Sequence, residues 1–425
     1  MPMKKQRFSL LPGVSLTVLE TDKFKTNCLS LNILRPLCRE EAALNALLPD
    51  VLLRGCKLCP DMGEIAAWLD ERYGSGVQAL VRKRGEVQVI GFMLDYINES
   101  YAEPGEPLTE DICKLLGSFL LEPVTENGVF RRDFVEGEKV NLINAIMAGI
   151  NDKRTYASIR LRQEMFPREN YGVSKNGEVE DVEKITPESL YAHYARILSE
   201  SRMELIFTGQ TDVERLKEYL IRVLKDLPRG VITPVGTEIG PMPGEVREIA
   251  ETMDVTQGKL VMGFRTGVTA RDPEYPAMML MNGVYGGSLT SKLFMNVREN
   301  LSLCYYASSG FDRDKGIMIV SSGVDTANYQ VAKDEILRQL EACRQGDITD
   351  EELSSTRSYL MSALRAGEDS LFGMEDYCLS QLIGGFTDST AELAAKLESV
   401  TVAQIADAAN KVRLDTIYFL KGETA

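Results

Sequence analysis

The chain has 425 residues, 44% hydrophobic and 26% charged, the make-up of a folded globular protein, which excludes a disordered tail or a collagen-like fibre. At roughly 150 residues per domain, two or three domains are expected. Asp and Glu outnumber Lys and Arg by 63 to 48, a formal charge of −15; this balance argues against a nucleic-acid partner, which calls for a basic footprint.

Lys4, Lys5 and Arg7 precede an apolar run that Pro12 and Gly13 break. The run lacks a continuous hydrophobic stretch and a small-residue cleavage site, so it does not read as a signal peptide. It resumes at Val14–Val18 with the alternation of a strand. No run of about 18 uncharged apolar residues follows anywhere, so no membrane contact and a cytoplasmic location are expected.

The first half then reads as strand Cys28–Leu34, helix Ala42–Leu53 and helix Met62–Tyr73. Strands Val77–Val81 and Val87–Met93 follow, joined by a charged turn over Arg82–Glu86, the pattern of a hairpin. Helices Glu110–Leu121 and Phe134–Gly149 come next. Thr186 is the expected N-cap of a helix with Glu188 in its first turn, and strand Met203–Thr208 closes the half. From Pro228 to Gly244 prolines and glycines crowd together, as in an extended connector. Beyond it the order repeats: strand Lys259–Phe264, helices Ala277–Tyr285 and Ser291–Asn300, hairpin strands Tyr305–Phe311 and Gly316–Ser321. Helices Val331–Cys343 and Asp350–Ala366, a helix capped by Thr401, and strand Asp415–Leu420 complete it. A repeated order implies two copies of one α+β domain, each an antiparallel-rich sheet with helices packed on one face. The expected domains are 1–227 and 246–425, with 228–245 between them.

The chain contains one histidine, His193, so no site here can use two imidazoles, and both H-E-x-x-H and H-x-x-E-H are excluded. In Ser189–Tyr194, with no nucleophile motif nearby, His193 reads as an ordinary helix or packing residue. Cys56 and Cys59 form the single C-x-x-C; with no second pair they read as free thiols, with a redox or metal role as the alternative.

The order of elements, together with Gly286-Gly287-Ser288-Leu289-Thr290-Ser291-Lys292-Leu293-Phe294, Arg298-Glu299 and Leu303-Cys304-Tyr305, resembles the insulinase/pitrilysin family of zinc metallopeptidases. It looks most like the short-chain members that work as two subunits, such as mitochondrial processing peptidase. The resemblance implies a LuxS/insulinase-like metallopeptidase fold over nearly the whole chain. In that family the first half carries H-x-x-E-H followed by a glycine. Here the stretch is Ala46-Leu47-Leu48-Pro49-Asp50-Val51-Leu52-Leu53-Arg54-Gly55. With Gly55 in register, the two histidines fall on Ala46 and Asp50 and the glutamate base on Pro49. The family's third ligand, a glutamate on a later helix, falls on Ala145. The metal-binding positions are therefore degenerate, and no cofactor is expected in this chain.

The second half keeps its motif. The resemblance gives Arg298 and Tyr305 to the substrate, Arg298 donating to peptide carbonyls and Tyr305 to the scissile carbonyl. It places Gly286 and Gly287 at the substrate-facing glycine turn. The long glycine-rich loop of the mitochondrial substrate-recognising subunit is absent, so presequence recognition is not implied. The expected function is that of a non-catalytic subunit. It would close the chamber of a heterodimeric or larger peptidase, with a homologous zinc-bearing partner and a peptide or short unfolded protein as substrate. The alternatives are a structural core-type subunit, a peptide-binding module, and a peptidase with a metal held by Asp50, Cys56 and Cys59.

Overall fold

In a computed structural model, which describes residues 4–422, the alternating and helical patterns become the following elements. The first half holds β1 (Lys4–Leu11), β2 (Val14–Glu20), β3 (Thr26–Pro36), α1 (Arg39–Leu52), α2 (Met62–Asp70), β4 (Gly76–Arg84), β5 (Val87–Ile97) and α3 (Leu108–Leu121). A small hairpin follows, β6 (Thr125–Glu126) and β7 (Val129–Phe130), then α4 (Arg132–Asn151), α5 (Lys153–Met165), α6 (Val179–Glu183), α7 (Pro187–Glu200), β8 (Arg202–Gly209) and α8 (Val213–Leu224). The Pro/Gly-rich connector forms no regular element. Beyond it lie β9 (Arg247–Thr252), β10 (Gly258–Arg265), α9 (Tyr275–Asn282), π-helical stretches Gly283–Gly287 and Leu293–Asn300, β11 (Cys304–Asp312) and β12 (Ile317–Val324). The chain ends in α10 (Tyr329–Arg344), α11 (Asp350–Glu368), α12 (Leu371–Gly384), α13 (Thr390–Ser399), α14 (Val402–Lys411) and β13 (Arg413–Lys421).

The caps follow local chemistry. Thr186 accepts from the Ser189 amide and Ser189 reaches back to Thr186, a capping box that uses Ser189 rather than Glu188. Thr401 and Gln404 do the same for α14.

The first sheet has strand order β1-β2-β8-β3-β5-β4 and the second β11-β12-β10-β13-β9. Read from its other edge, the second repeats the first from β2 onward. In each, one parallel pair (β2 with β8, β9 with β13) joins an otherwise antiparallel sheet. The strands Met203–Thr208 and Asp415–Leu420 occupy matching places, as the repeat requires.

The compact units are not the two contiguous halves. The first comprises residues 1–146, 173–236 and 368–383; the second comprises 147–172, 237–367 and 384–425. One boundary falls inside the connector, and each unit also takes a segment from the other half. The reason lies on the sheet faces. In β3, Leu29, Leu31 and Ile33 point into the large core with α1, α3, α7 and α8. Leu34, with Val87, Val89 and Ile206, points the opposite way, and α12 covers it with Cys378 and Leu379. In the second unit α5 covers Val261, Tyr418 and Leu420 with Ala157 and Leu161. The main helical layer thus lies on one face of the first sheet, as expected, and one borrowed helix seals its back.

Each borrowed segment brings an acid. On α12, fully buried Glu375 accepts from Ser30 Oγ at 2.7 Å, Asn32 Nδ2 at 2.9 Å and Arg82 Nη1 at 2.7 Å. The neighbouring Asp376 pairs with Arg84. After α5, Glu169 accepts from Lys315 Nζ at 2.7 Å and Arg265 Nη2 at 3.1 Å, and these cations hold its carboxyl below the usual range against the opposing effect of burial.

Removing one partner of a buried ion pair leaves the other charge uncompensated, at about 3–5 kcal/mol. Glu375→Ala is therefore expected to lower the melting temperature by roughly 6–12 °C and to expose the Glu368–Leu371 region to protease. An unchanged melting curve would mean that α12 is held by its apolar contacts alone.

Candidate functional site

The degenerate motif lies on α1, in the first unit. Ala46 is 1% exposed and Pro49 is buried, so a methyl group and a pyrrolidine ring stand at the positions that the resemblance gives to a ligand and a base. Asp50 projects outward; partial desolvation, with Glu138 nearby, pushes its carboxyl up to about 6. Glu138 is on α4 and receives Arg54 Nη1 at 3.2 Å and Asn141 Nδ2 at 2.9 Å. Ala145 is two helical turns further along the same face of α4 and offers no donor atom. A guanidinium thus already engages the nearby carboxylate, and the residues present do not fit a divalent metal. Among the described residues no group of three or more His, Cys, Asp or Glu is placed to hold one. Gly55, which sets the register, has a local reason to be glycine: a Cβ there would lie 2.2 Å from the Pro60 carbonyl oxygen.

Cys56 and Cys59 are buried in the core of this unit, and the Cys56 amide donates to the Cys59 carbonyl at 2.8 Å. Burial pushes the Cys59 thiol up to about 11. Asp50 faces outward while both thiols face inward, so the three do not gather into the unorthodox site considered above.

Behind α1 lies a buried polar chain that the sequence did not announce. Gln88 on β5 donates through Nε2 to the Ala42 carbonyl at 3.0 Å and the Lys175 carbonyl at 2.6 Å, so its Oε1 accepts Asn45 Nδ2 at 2.9 Å. Asn45 Oδ1 is then left to accept from His193 Nε2 at 2.7 Å. His193 Nδ1 in turn accepts from Arg196 Nη2 at 3.1 Å. Every link fixes the next, and the network assigns His193 as the neutral Nε2–H tautomer. Burial pushes it down to about 4, with Arg196 and Arg35 adding to the effect and Glu41 opposing it. The single histidine is a packing residue.

The retained motif is in the second unit. Its helix, expected to be α-helical over Ser291–Asn300, is wound as a π-helix from Leu293. The wider winding is held at its start and midway along: buried Lys292 pairs with Glu352 at 2.9 Å, and Asn296 Nδ2 donates to Gln339 Oε1 at 2.9 Å. Arg298 lies over the Phe294 ring at 4.7 Å, 3.5 Å from Glu299, with 41% of its side chain exposed. Ser302 then turns the chain at φ +50°, a left-handed conformation costly for a non-glycine residue.

Tyr305 follows on β11, an edge strand. Cys304 pairs with Val324 and Tyr306 with Gly323, so Tyr305 is the extra residue of a β-bulge. The bulge turns it outward, 68% exposed, while the Tyr306 ring lies under Arg154 at 4.3 Å. Burial pushes the Cys304 thiol beside Tyr305 up, and a hydrogen bond with Ser322 and the charge of Arg298 oppose it. Gly286 lets the preceding turn sit against β11: a Cβ there would lie 2.8 Å from the Ser309 amide nitrogen.

Residues 184–360 match the family described as "Peptidase M16 inactive domain". The chain is 35% identical over 412 residues to "Probable inactive metalloprotease YmfF" of Bacillus subtilis strain 168, covering 96% of both chains. It is 23% identical over 347 residues to mitochondrial-processing peptidase subunit beta of Saccharomyces cerevisiae, covering 74% of this chain and 72% of that one. The crystal structure of a protein from Enterococcus faecalis V583 matches 99% of both chains at 27% identity, with a TM-score of 0.93. Fold and sequence together define a metallopeptidase-type scaffold without an H-x-x-E-H motif. The chain belongs to the M16, insulinase-type, peptidase family and lacks the H-x-x-E-H motif.

The neutral state of His193 gives stability a measurable pH dependence. Its folded pKa of about 4 lies below the ordinary 6.5, so below pH 6.5 the unfolded chain binds the proton first and stability falls toward pH 4. Between pH 7.5 and 5 this residue accounts for a loss of about 2 kcal/mol. Denaturant titrations at the two pH values are expected to show this loss in the native chain and a smaller one in His193→Gln.

Proposed function

We propose that this chain is the non-catalytic subunit of a heteromeric M16 peptidase. The partner is a homologous chain with an intact H-x-x-E-H, which contributes the metal and the base. This chain completes the chamber and presents Arg298 and Tyr305 to the peptide. The observation that carries the reading is the contrast within the molecule. The positions that the resemblance gives to the metal and the base hold Ala46, Pro49 and Ala145, while Tyr305, seven residues after the exposed Arg298, is turned outward by a bulge. A packed strand tyrosine would need no bulge. The name of the yeast relative, a subunit of a processing peptidase, supports the same reading.

In this reading the Arg298 fork donates to main-chain carbonyls of the bound peptide, and the Tyr305 phenol donates to the oxygen of the scissile carbonyl as negative charge develops there. Gly286 and Gly287 border the same turn and leave room for the peptide backbone. The substrate is a peptide or a short unfolded protein admitted by the size of the chamber; neither nucleic acid nor membrane is a partner, and the assembly works in the cytoplasm.

The test is peptide hydrolysis with and without the partner, read beside metal content. The chain alone is expected to hold well under one zinc per molecule and to hydrolyse nothing. In the complex, Tyr305→Phe removes only a hydroxyl and is expected to lower turnover by about a hundredfold to a thousandfold, with assembly and metal content unchanged. Arg298→Ala is expected to raise KM as well. Unchanged cleavage by both variants would reduce the chain to a scaffold.

A further inference from the structure

A cavity lies in the first unit, on elements that carry neither the degenerate motif nor the retained pair. It is a groove of about 970 Å³ between α3, α7 and the end of α8, with the loop inside the C-x-x-C motif forming one lip. That is the upper end of the usual size for a ligand pocket and suits a short peptide segment. The α7 residues Tyr191, Tyr194 and Leu198 share one helix face and, with Leu121, make an apolar floor. The floor is preorganised: both tyrosine rings pack edge-on against Phe130, with centroids 5.3 and 5.4 Å away, and the Tyr194 hydroxyl donates to the Leu120 carbonyl at 2.8 Å. Leu58 is held at the lip by its amide, which donates to Ser118 Oγ at 3.2 Å, yet its side chain is 43% exposed.

The rim has the opposite sign to the rest of the molecule. In a chain of net charge −15, it carries Lys57, Lys114, Arg222 and Lys225 against Glu122 and Asp226. The ion pairs that these cations make are exposed. Lys57 meets Glu122 at 3.0 Å, Lys114 meets Glu110 at 3.1 Å and Asp111 at 3.4 Å, Arg222 meets Glu110 at 2.9 Å, and Lys225 reaches Asp226 only at 4.0 Å. Such pairs contribute little, so an incoming carboxylate can replace them.

We propose that this groove binds a short acidic segment bearing a large apolar side chain, the side chain lying on Tyr191 and Tyr194 and the carboxylates meeting Lys57 and Lys225. The groove shares no residue or element with Arg298 and Tyr305, and its role in this proposal is docking rather than cleavage.

The test is fluorescence anisotropy of the full chain with a labelled peptide in which glutamates flank a Phe-Leu pair. Saturable binding is expected, weakening as salt rises from about 0.05 M to about 0.5 M. Lys57→Glu combined with Lys225→Glu, both at exposed positions, is expected to weaken it by about tenfold or more, and Tyr191→Ala by a similar factor. Arg298→Ala should leave it unchanged. The proposal is overturned if the peptide does not bind, if the double charge reversal has no effect, or if Arg298→Ala abolishes binding. It is equally overturned if a peptide with glycines for Phe-Leu, or a single-stranded oligonucleotide of equal charge, binds as tightly.

Discussion

A carboxylate buried where no water reaches it must be met by a cation and by hydrogen-bond donors, and Glu375 has few ways to satisfy that demand. Only one placement of α12 on the back of the first sheet puts Oε1 on Ser30 and Asn32 and Oε2 on Arg82. Apolar contacts from Cys378 and Leu379 would tolerate a shift of the helix; the ion pair does not. The second unit solves the same problem in a looser form. Glu169 follows α5 rather than lying within it and stays partly exposed, while Lys315, 1% exposed, brings the cation to it. Each exchanged segment is thus registered by charge and sealed by apolar area.

The helix that would carry a metal site has been rebuilt with the same economy of means. The resemblance puts a ligand position at the buried Ala46 and the position of the base at Pro49, which removes a backbone donor from the last turns of α1. What ties α1 to its surroundings now is organic. Arg54 reaches Glu138 on α4, and Asn45 joins Gln88 on β5 to His193 on α7. The second unit took the other course. It keeps a strained turn at Ser302, a π-wound helix and a bulge, features that cost stability and that packing alone does not call for.

Much of this was legible in the sequence because it is local. Alternation marked β3, β5, β10 and β12, Thr186 and Thr401 announced their helices, and the repeated order predicted matching places for β8 and β13. The motif around Arg298 was found by resemblance. What was missed is long-range or irregular. Nothing near Arg82 signals a partner 293 residues away. Helix α5 is arginine-rich and shows little apolar face, and α12 places Glu375 among apolar neighbours, so neither pattern says which sheet it covers. The Tyr305 bulge depends on a one-residue shift between strands, which no single strand records.

The exchange of segments has a consequence for synthesis. The first unit needs residues 368–383, so while the chain emerges from the ribosome its sheet waits with Leu34, Val89 and Ile206 bare and Arg82 without its acid. That back face cannot close until nearly nine-tenths of the 425 residues have been translated. The N-terminal half therefore keeps an uncovered apolar face until that late segment arrives. The Pro/Gly-rich connector between the halves marks no point at which the protein can be cut into two autonomous pieces.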